Sequence, residues 1–447
     1  MSEQTVVLEA SLQFPKYDAY KESGVEWLGA IPEHWSVSRN LGLFDERKEV
    51  NQPSMELLAV TIKRGVIKQS KITTKKDSSN EDKSKYKVVR KGDLAYNKMR
   101  MWQGAIGESK YDGIVSPAYI ILNTRNRLYS RYFHYLYRTK QFIAEANRHS
   151  YGLCDDMNSL RYEHFRTIYS PTPPEHDVSR IVDFLDHKTD EIDAVIAKKQ
   201  ELTRLLNEQK TILINRTVTK GLNSNVKMKD SGVAWIGEIP EHWNVIANRR
   251  ILKKIEQGTS PSIKNLELYS GFSVVKLSAI KKGKYINGED KEISPQEFEA
   301  AYEIKRGDLL MTRGNTPELV ADVAYVAEEP DKGVMMPDLV YRLTYDQTKV
   351  SHSYLVYVLQ ASSVRHQIKV SARGSSHTMV KVSQDHIKSW WIPIPPTKQE
   401  CDDLTQHLNE QCSAVMETID AAQKEIEALK EFKQTLITYT TTGKIKV

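Results

Sequence analysis

The sequence predicts two α/β globular domains in tandem, joined by two long antiparallel coiled-coil helices in a pseudo-two-fold architecture. Three observations predict it. Residues 23–37 read SGVEWLGAIPEHWSV and residues 231–245 read SGVAWIGEIPEHWNV, identical at eleven of fifteen positions. Two segments, opening on Pro173-Pro174 and Pro395-Pro396, run free of Pro and Gly almost to the next junction or the chain end. Short alternating or β-branched runs fill the stretches before them. An internal repeat sets the architecture and is resolved first. At 447 residues the chain also exceeds one ordinary domain.

The junction comes first in each copy. Trp27, Ile31 and Trp35, with their counterparts Trp235, Ile239 and Trp243, form a compact aromatic turn whose backbone Pro32 and Pro240 restrict. The bland role is a staple between domain and helix; the alternative is a docking surface, since exposed Trp is favoured at interfaces. His34 and His242 lack a second ligand at metal spacing and are read as structural hydrogen-bonders. Strands follow at LLAVTI (57–62) and FSVVKLSAI (272–280), broken by Gly, Asp and Asn turns. Lys91-Gly92-Asp93-Leu94 returns as Arg306-Gly307-Asp308-Leu309, and Gly113 and Pro117 return as Gly333 and Pro337. A helix predicted over 130–149 is matched by 352–370. Contents differ where the frame agrees: YNKMRMWQG follows the first Gly-Asp-Leu and LMTRGNTPE the second.

The long segments carry an apolar residue every 3.5 positions, the signature of a coiled-coil seam. In the second, Leu408, Cys412, Val415, Ile419, Ala422, Ile426, Leu429 and Leu436 alternate at spacings of four and three, with Lys433 as the polar break. In the first, Val178, Leu185, Ile192, Leu206 and Leu213 recur every seven residues with Lys199 interrupting, and Ile181, Val195 and Leu202 flank them. Each ends near a Thr-Gly stop, Thr219-Lys220-Gly221 and Thr442-Gly443. Neither helix can bury its stripe alone, so each is expected to pair with the other. The expected divisions are residues 1–172 (first domain), 173–221 (central helix), 222–394 (junction repeat and second domain) and 395–447 (C-terminal helix).

Charge is unevenly placed. Residues 61–110 hold fourteen Lys or Arg against five Asp or Glu, whereas 174–221 hold eight against nine and 396–447 six against nine. A basic patch on globular parts suits a polyanion such as nucleic acid; the bland reading is a Lys-rich solvated surface. No apolar run is long enough to span a bilayer, and the N-terminus lacks a signal-peptide pattern. Cys154, Cys401 and Cys412 are odd in number and far from Cys-x-x-Cys spacing, which fits a reduced cytoplasmic protein.

Catalytic signatures are missing. There is no phosphate loop, no dinucleotide fingerprint, no H-E-x-x-H and no nucleophile elbow. Asp183, Asp186 and Asp190 share a helix face, which on a coiled coil is normally solvated. Asp290 with Glu303-Ile304-Lys305 only faintly matches a metal-nuclease pattern. The chain is therefore expected to be no enzyme, with no metal and no cofactor of its own. Two other readings remain, a coiled-coil scaffold without catalysis and a metal-dependent nuclease.

The doubled G-V-x-W-x-G-x-I-P-x-H-W junction, the strand leading into K/R-G-D-L, and the Pro-Pro-opened helix ending near Thr-Gly together cover nearly the whole chain. In that order they resemble the DNA-specificity subunit of type I restriction–modification systems. The family often has Glu-Gln after Pro-Pro, where this chain has Glu175-His176 and Thr397-Lys398. The resemblance implies two target-recognition domains, each reading half of a bipartite site on double-stranded DNA, with the helices as spacer. It also implies two adenine-N6 methyltransferase subunits docked on the helices and two motor-nuclease restriction subunits. S-adenosylmethionine, ATP and Mg²⁺ would belong to those partners.

Base readout needs directional donors on loops or strand ends. Candidates are Asn97, Lys98, Arg100 and Gln103 in the first domain, and Arg313, Asn315 and Thr316 in the second. Lys63, Arg64, Lys281 and Lys282 are read as phosphate neutralisers, which position without specifying. The bland reading of each is a solvated surface side chain.

Overall fold

The computed structural model describes residues 14–62, 64–72, 82–152, 158–261, 271–376 and 379–447. The chain divides into two compact units, residues 1–200 with 422–447, and residues 201–421, so the division falls within both long helices. Each unit is a mixed α/β domain carrying stretches of both helices.

In the first unit a four-stranded antiparallel sheet runs in the order Phe44–Glu46, Tyr119–Thr124, Leu94–Asn97, Ile106–Glu108. The same order recurs in the second unit as Leu252–Gln257, Val340–Tyr345, Leu309–Thr312, Val323–Tyr325. There the hairpin Ile280–Lys281 and Gly283–Tyr285 extends the sheet through a parallel pairing with Val323–Tyr325. The repeat is therefore a repeated fold, enlarged in its second copy.

The Gly-Asp-Leu elements explain themselves. Gly92 and Gly307 take φ of 88° and 93°, a left-handed turn that only glycine adopts at little cost. The following carboxylate closes that turn: Asp93 accepts from the Arg90 amide at 2.9 Å and Asp308 from the Lys305 amide at 3.0 Å. Each then pairs with an arginine from a sheet strand or its end, Arg47 Nε at 2.7 Å and Arg342 Nε at 2.9 Å. The motif fixes a sheet corner and leaves the strand after it to carry the variable residues.

The helix predicted over 130–149 is two helices, Tyr129–Leu136 and Lys140–Arg148, and that over 352–370 is His352–Gln360 and Ser362–Ser371. Thr139 breaks the first because its hydroxyl caps the Phe142 amide while its backbone stays extended. Ala361 takes the same extended conformation in the second copy.

The long helices run Glu175–Lys220 and Lys398–Thr441. In the first unit Lys199 pairs with Glu425, and Lys433 with Asp193 at 2.6 Å, so the helices run antiparallel and the two polar breaks in the seams each find a carboxylate on the facing helix. Val178, Ile181, Leu185, Ile192, Ile426 and Leu436 are buried with the domain core. In the second unit Ile214 and Val218 are buried with Cys401, Leu404, Leu408 and Cys412. The expected seam needs one correction. Val195 and Leu202 are 42% and 43% exposed, and Ile196 takes the buried place. An α-helix drifts against a strict seven-residue repeat by about 20° per heptad, which carries those flanking positions off the seam.

Candidate nucleic-acid interface

The doubled junction has a structural task in each unit. In the first, Trp35 is fully buried and donates from Nε1 to Asp177 Oδ2 at 2.9 Å, and His34 Nε2 lies 2.7 Å from the same oxygen. In the second, Trp243 donates to Glu400 Oε1 at 2.8 Å, with His242 Nε2 at 3.1 Å. Asp177 and Glu400 sit in the first turns of the two long helices, where a negative charge also meets exposed amides. Burial alone would raise the Asp177 carboxyl; the hydrogen bonds from His34 and Trp35 and the neighbouring histidine charges outweigh it and leave it below its ordinary value.

The same tryptophans also meet the opposite helix end. A Cβ on Gly443 (φ 72°) would overlap the Pro32 ring and come within 3.0 Å of Trp35, and one on Gly221 (φ 71°) would lie 3.4 Å from Trp243. One tryptophan thus holds the start of one long helix and the end of the other. The phrase is doubled because each unit needs such a clamp.

On that frame the candidate reading residues lie at the end of the third sheet strand. The Lys98 amide donates to the Ala118 carbonyl at 3.3 Å, and the Lys98 carbonyl accepts from Leu160 at 2.9 Å. Arg313 repeats both bonds, donating to Leu339 at 2.7 Å and accepting from Val382 at 2.9 Å. Lys98 and Arg313 therefore occupy the same backbone position in loops of different sequence.

Their neighbours differ. Arg100 is exposed, and Asn97 is half-buried with its Oδ1 accepting from the Met99 amide at 3.0 Å. Asn315 folds its Oδ1 onto the Thr316 amide at 2.9 Å, and Thr316 is exposed. Arg313 is half-buried, with Nη1 3.5 Å from the Asp338 carbonyl. Gln103 departs from the group: it turns into a cleft beside Arg131 and Arg138, its Oε1 buried without a partner among the described residues.

Among the phosphate candidates, Lys63 lies outside the described residues, while Arg64 and Lys282 are exposed on turns and Lys281 is exposed at the end of the strand before one. Those turns are equivalent, which the sequence shows as Ile62-Lys63-Arg64-Gly65 and Ile280-Lys281-Lys282-Gly283. Gly65 (φ 64°) packs against His134 of the helix Tyr129–Leu136 and Arg138 just beyond it, and Gly283 (φ 90°) against Val356 and Gln360 of the helix His352–Gln360, at matching positions of the repeat. The shared Ile-Lys-basic-Gly pattern was the available signal.

Two of the acidic groups that faintly suggested a metal are engaged otherwise. Asp186 accepts from Arg131 at 2.8 Å and from the Tyr135 hydroxyl, and Asp290 pairs with Lys332 at 2.8 Å. Among the described residues no group of three or more His, Cys, Asp or Glu is placed to hold a metal ion. No helix among them is long and apolar enough to cross a membrane.

No family model matches the sequence. The "Putative type I restriction enzyme MjaX specificity subunit" of Methanocaldococcus jannaschii is 22% identical over 454 aligned residues, covering 98% of this chain and 99% of that protein. The "Type I restriction enzyme EcoEI specificity subunit" of Escherichia coli is 24% identical over 166 residues, 36% of this chain and 27% of that protein. Among solved structures, a chain from "Structural basis underlying complex assembly and conformational transition of the type I R-M system" superposes with a TM-score of 0.63 at 15% identity. That likeness covers 92% of this chain and 98% of the other, and it is a likeness of fold. Over nearly its whole length the sequence is similar to the specificity subunit of one type I restriction enzyme, over about a third of its length to that of another, and the chain shares the fold of the solved chain.

Proposed function

We propose that the chain is the non-catalytic DNA-recognition subunit of a type I restriction–modification complex. Each domain reads one half of a bipartite target, and the long helices set the spacer and dock two adenine-N6 methyltransferase subunits. The observation that carries this reading is the repeated frame with unlike contents: Lys98 and Arg313 sit at one backbone position in loops that otherwise share nothing. A scaffold would have no need to vary those loops on so constant a support.

The division proposed from sequence goes with it: 1–172 and 222–394 as reading domains, 173–221 and 395–447 as spacer helices. Lys98, Arg100 and Asn97, with Arg313, Asn315 and Thr316, are proposed to face base edges, and Arg64, Lys281 and Lys282 the phosphates. Gln103, which lines the cleft, is proposed with the base-facing set. S-adenosylmethionine, ATP and Mg²⁺ are proposed to act in partner subunits, including two motor-nuclease subunits, in the cytoplasm.

The test is reconstitution. The purified chain with S-adenosylmethionine should methylate nothing, and addition of the methyltransferase subunits should give adenine methylation at one bipartite sequence. Methyl transfer or metal-dependent cleavage by the chain alone would overturn the assignment. Binding that is insensitive to salt would favour the scaffold, since phosphate contacts release counterions.

A further inference from the structure

Each unit has a cleft where its first domain helix meets the paired long helices, about 660 Å³ in the first unit and 540 Å³ in the second. The two are repeat equivalents. Arg131, His134 and Tyr135 of the helix and Arg138 just beyond it line the first, and Ser353, Val356, Tyr357 and Gln360 line the second at the matching positions of the repeat. Arg64 and Lys282 overhang them from the matching turns.

Their electrostatics differ. In the first cleft the cations are answered from within: Arg131 pairs with Asp186 at 2.7 Å, Lys433 with Asp193 at 2.6 Å, and Arg138 donates to the carbonyls of Ile106 and Ile62 at 2.9 and 3.0 Å. In the second the helix has lost its cations, and three lysines enter from elsewhere. Lys210 comes from the first long helix, Lys282 from the turn and Lys284 from the strand Gly283–Tyr285 after it. Among the described residues none of these three has a carboxylate within ion-pair distance. Lys210 is half-buried, and its Nζ meets Met416 Sδ at 3.3 Å, a weak acceptor for an ammonium. Burial, with the nearby charges of Lys282 and Lys284, holds the Lys210 ammonium below its ordinary value. A partly desolvated cation facing two others, without a counter-ion, is an arrangement that an anion stabilises. The carboxylate of this lining is Glu328, which is exposed.

We propose that the cleft of the second unit binds a phosphate group, with Lys210, Lys282 and Lys284 as its counter-charges. A phosphate matches the site better than a carboxylate does, because it brings more charge and three acceptor oxygens to donors spread around one cavity. Tyr285, Ser353 and Ser413 add hydroxyls to the lining, and Val356 and Tyr357 give the rest of a ligand an apolar wall. The volume is that of a small-molecule site, larger than bare phosphate needs. A free phosphomonoester brings all of this; a DNA backbone phosphodiester offers the same donors one charge and two free oxygens, and only that second source rests on the function proposed above.

The test uses the full-length chain and calorimetric titration with inorganic phosphate and with adenosine monophosphate, at fixed ionic strength. Lys210→Met keeps the apolar stem beside Met416 and removes the charge. One equivalent should bind, and Lys210→Met should weaken it by about tenfold or more, as loss of one charge-assisted hydrogen bond requires. Lys430→Gln, in the first cleft, should leave it unchanged. If neither probe binds but Lys210→Met lowers the salt dependence of DNA binding by about one phosphate, the backbone is the source. Lys284→Gln, at an exposed position, repeats both readings should Lys210→Met fail to fold. Phosphate binding unaltered by these substitutions, or no effect in either assay, would overturn the proposal.

Discussion

Asp177→Ala should cost the first unit about 2–3 kcal/mol. The carboxylate accepts from the buried Trp35 indole at 2.9 Å and lies in the first turn of a 46-residue helix. Removing it strands a buried N–H, worth about 1–3 kcal/mol, and deletes a favourable charge at a helix start, worth about 0.3–1 kcal/mol. His34 is about half exposed, and its share is discounted for solvent screening. Asp177→Asn keeps an acceptor and should cost about 1 kcal/mol. Urea unfolding followed by tryptophan fluorescence, fitted for the transition of the substituted unit, measures each. In a double-mutant cycle with Trp35→Phe the coupling should be about 1–2 kcal/mol. Costs that add to within about 0.5 kcal/mol would refute the clamp, since residues in direct contact do not behave independently.

Further expectations follow from the same frame. Because the Asp177 carboxyl is depressed in the folded chain, its contribution is complete above the ordinary carboxylate pKa of 3.8 and is lost as pH falls below it; Asp177→Asn should flatten that acid limb of the unfolding midpoint. Gly221→Ala should cost about 1–2 kcal/mol for its left-handed backbone, and Gly443→Ala more, because its Cβ also overlaps Pro32; thermal unfolding should rank them in that order. Arg313→Ala should relax one position of one half-site by about 1–3 kcal/mol, and Lys98→Ala should affect only the other half-site, read by competition binding to variant duplexes. Four helix-forming residues inserted after Lys199 lengthen the helix by ~6 Å. The mapped spacer should then grow by about one or two base pairs while both half-sites stay the same.

Much of this was legible in the sequence because repetition exposes what is structural. Any position that recurs at Trp35 and Trp243, or at Gly92 and Gly307, serves the frame, and the structure gives each a turn or a clamp. What the tryptophans hold was not legible. Asp177 and Glu400 differ in residue type, and each follows its Pro-Pro pair by a different interval, so no shared letter marks them. The breaks at Thr139 and Ala361 were hidden because apolar periodicity runs on through both helices. Val195 and Leu202 misled for a related reason: heptad spacing names a stripe but cannot tell which of two adjacent apolar positions the true helical period turns inward. Gln103 is a candidate by residue type, and that it lines a cleft beside Arg131 and Arg138 was not legible in the sequence.

The central claim is that two independent reading domains share one frame. The most direct measurement exchanges residues 38–170 for the corresponding domain of another such subunit, then maps methylated adenines genome-wide in cells that also carry the methyltransferase subunits. The account predicts that one half-site changes while the other half-site and the spacer are retained. A change in both half-sites, or in neither with methylation intact, would contradict it.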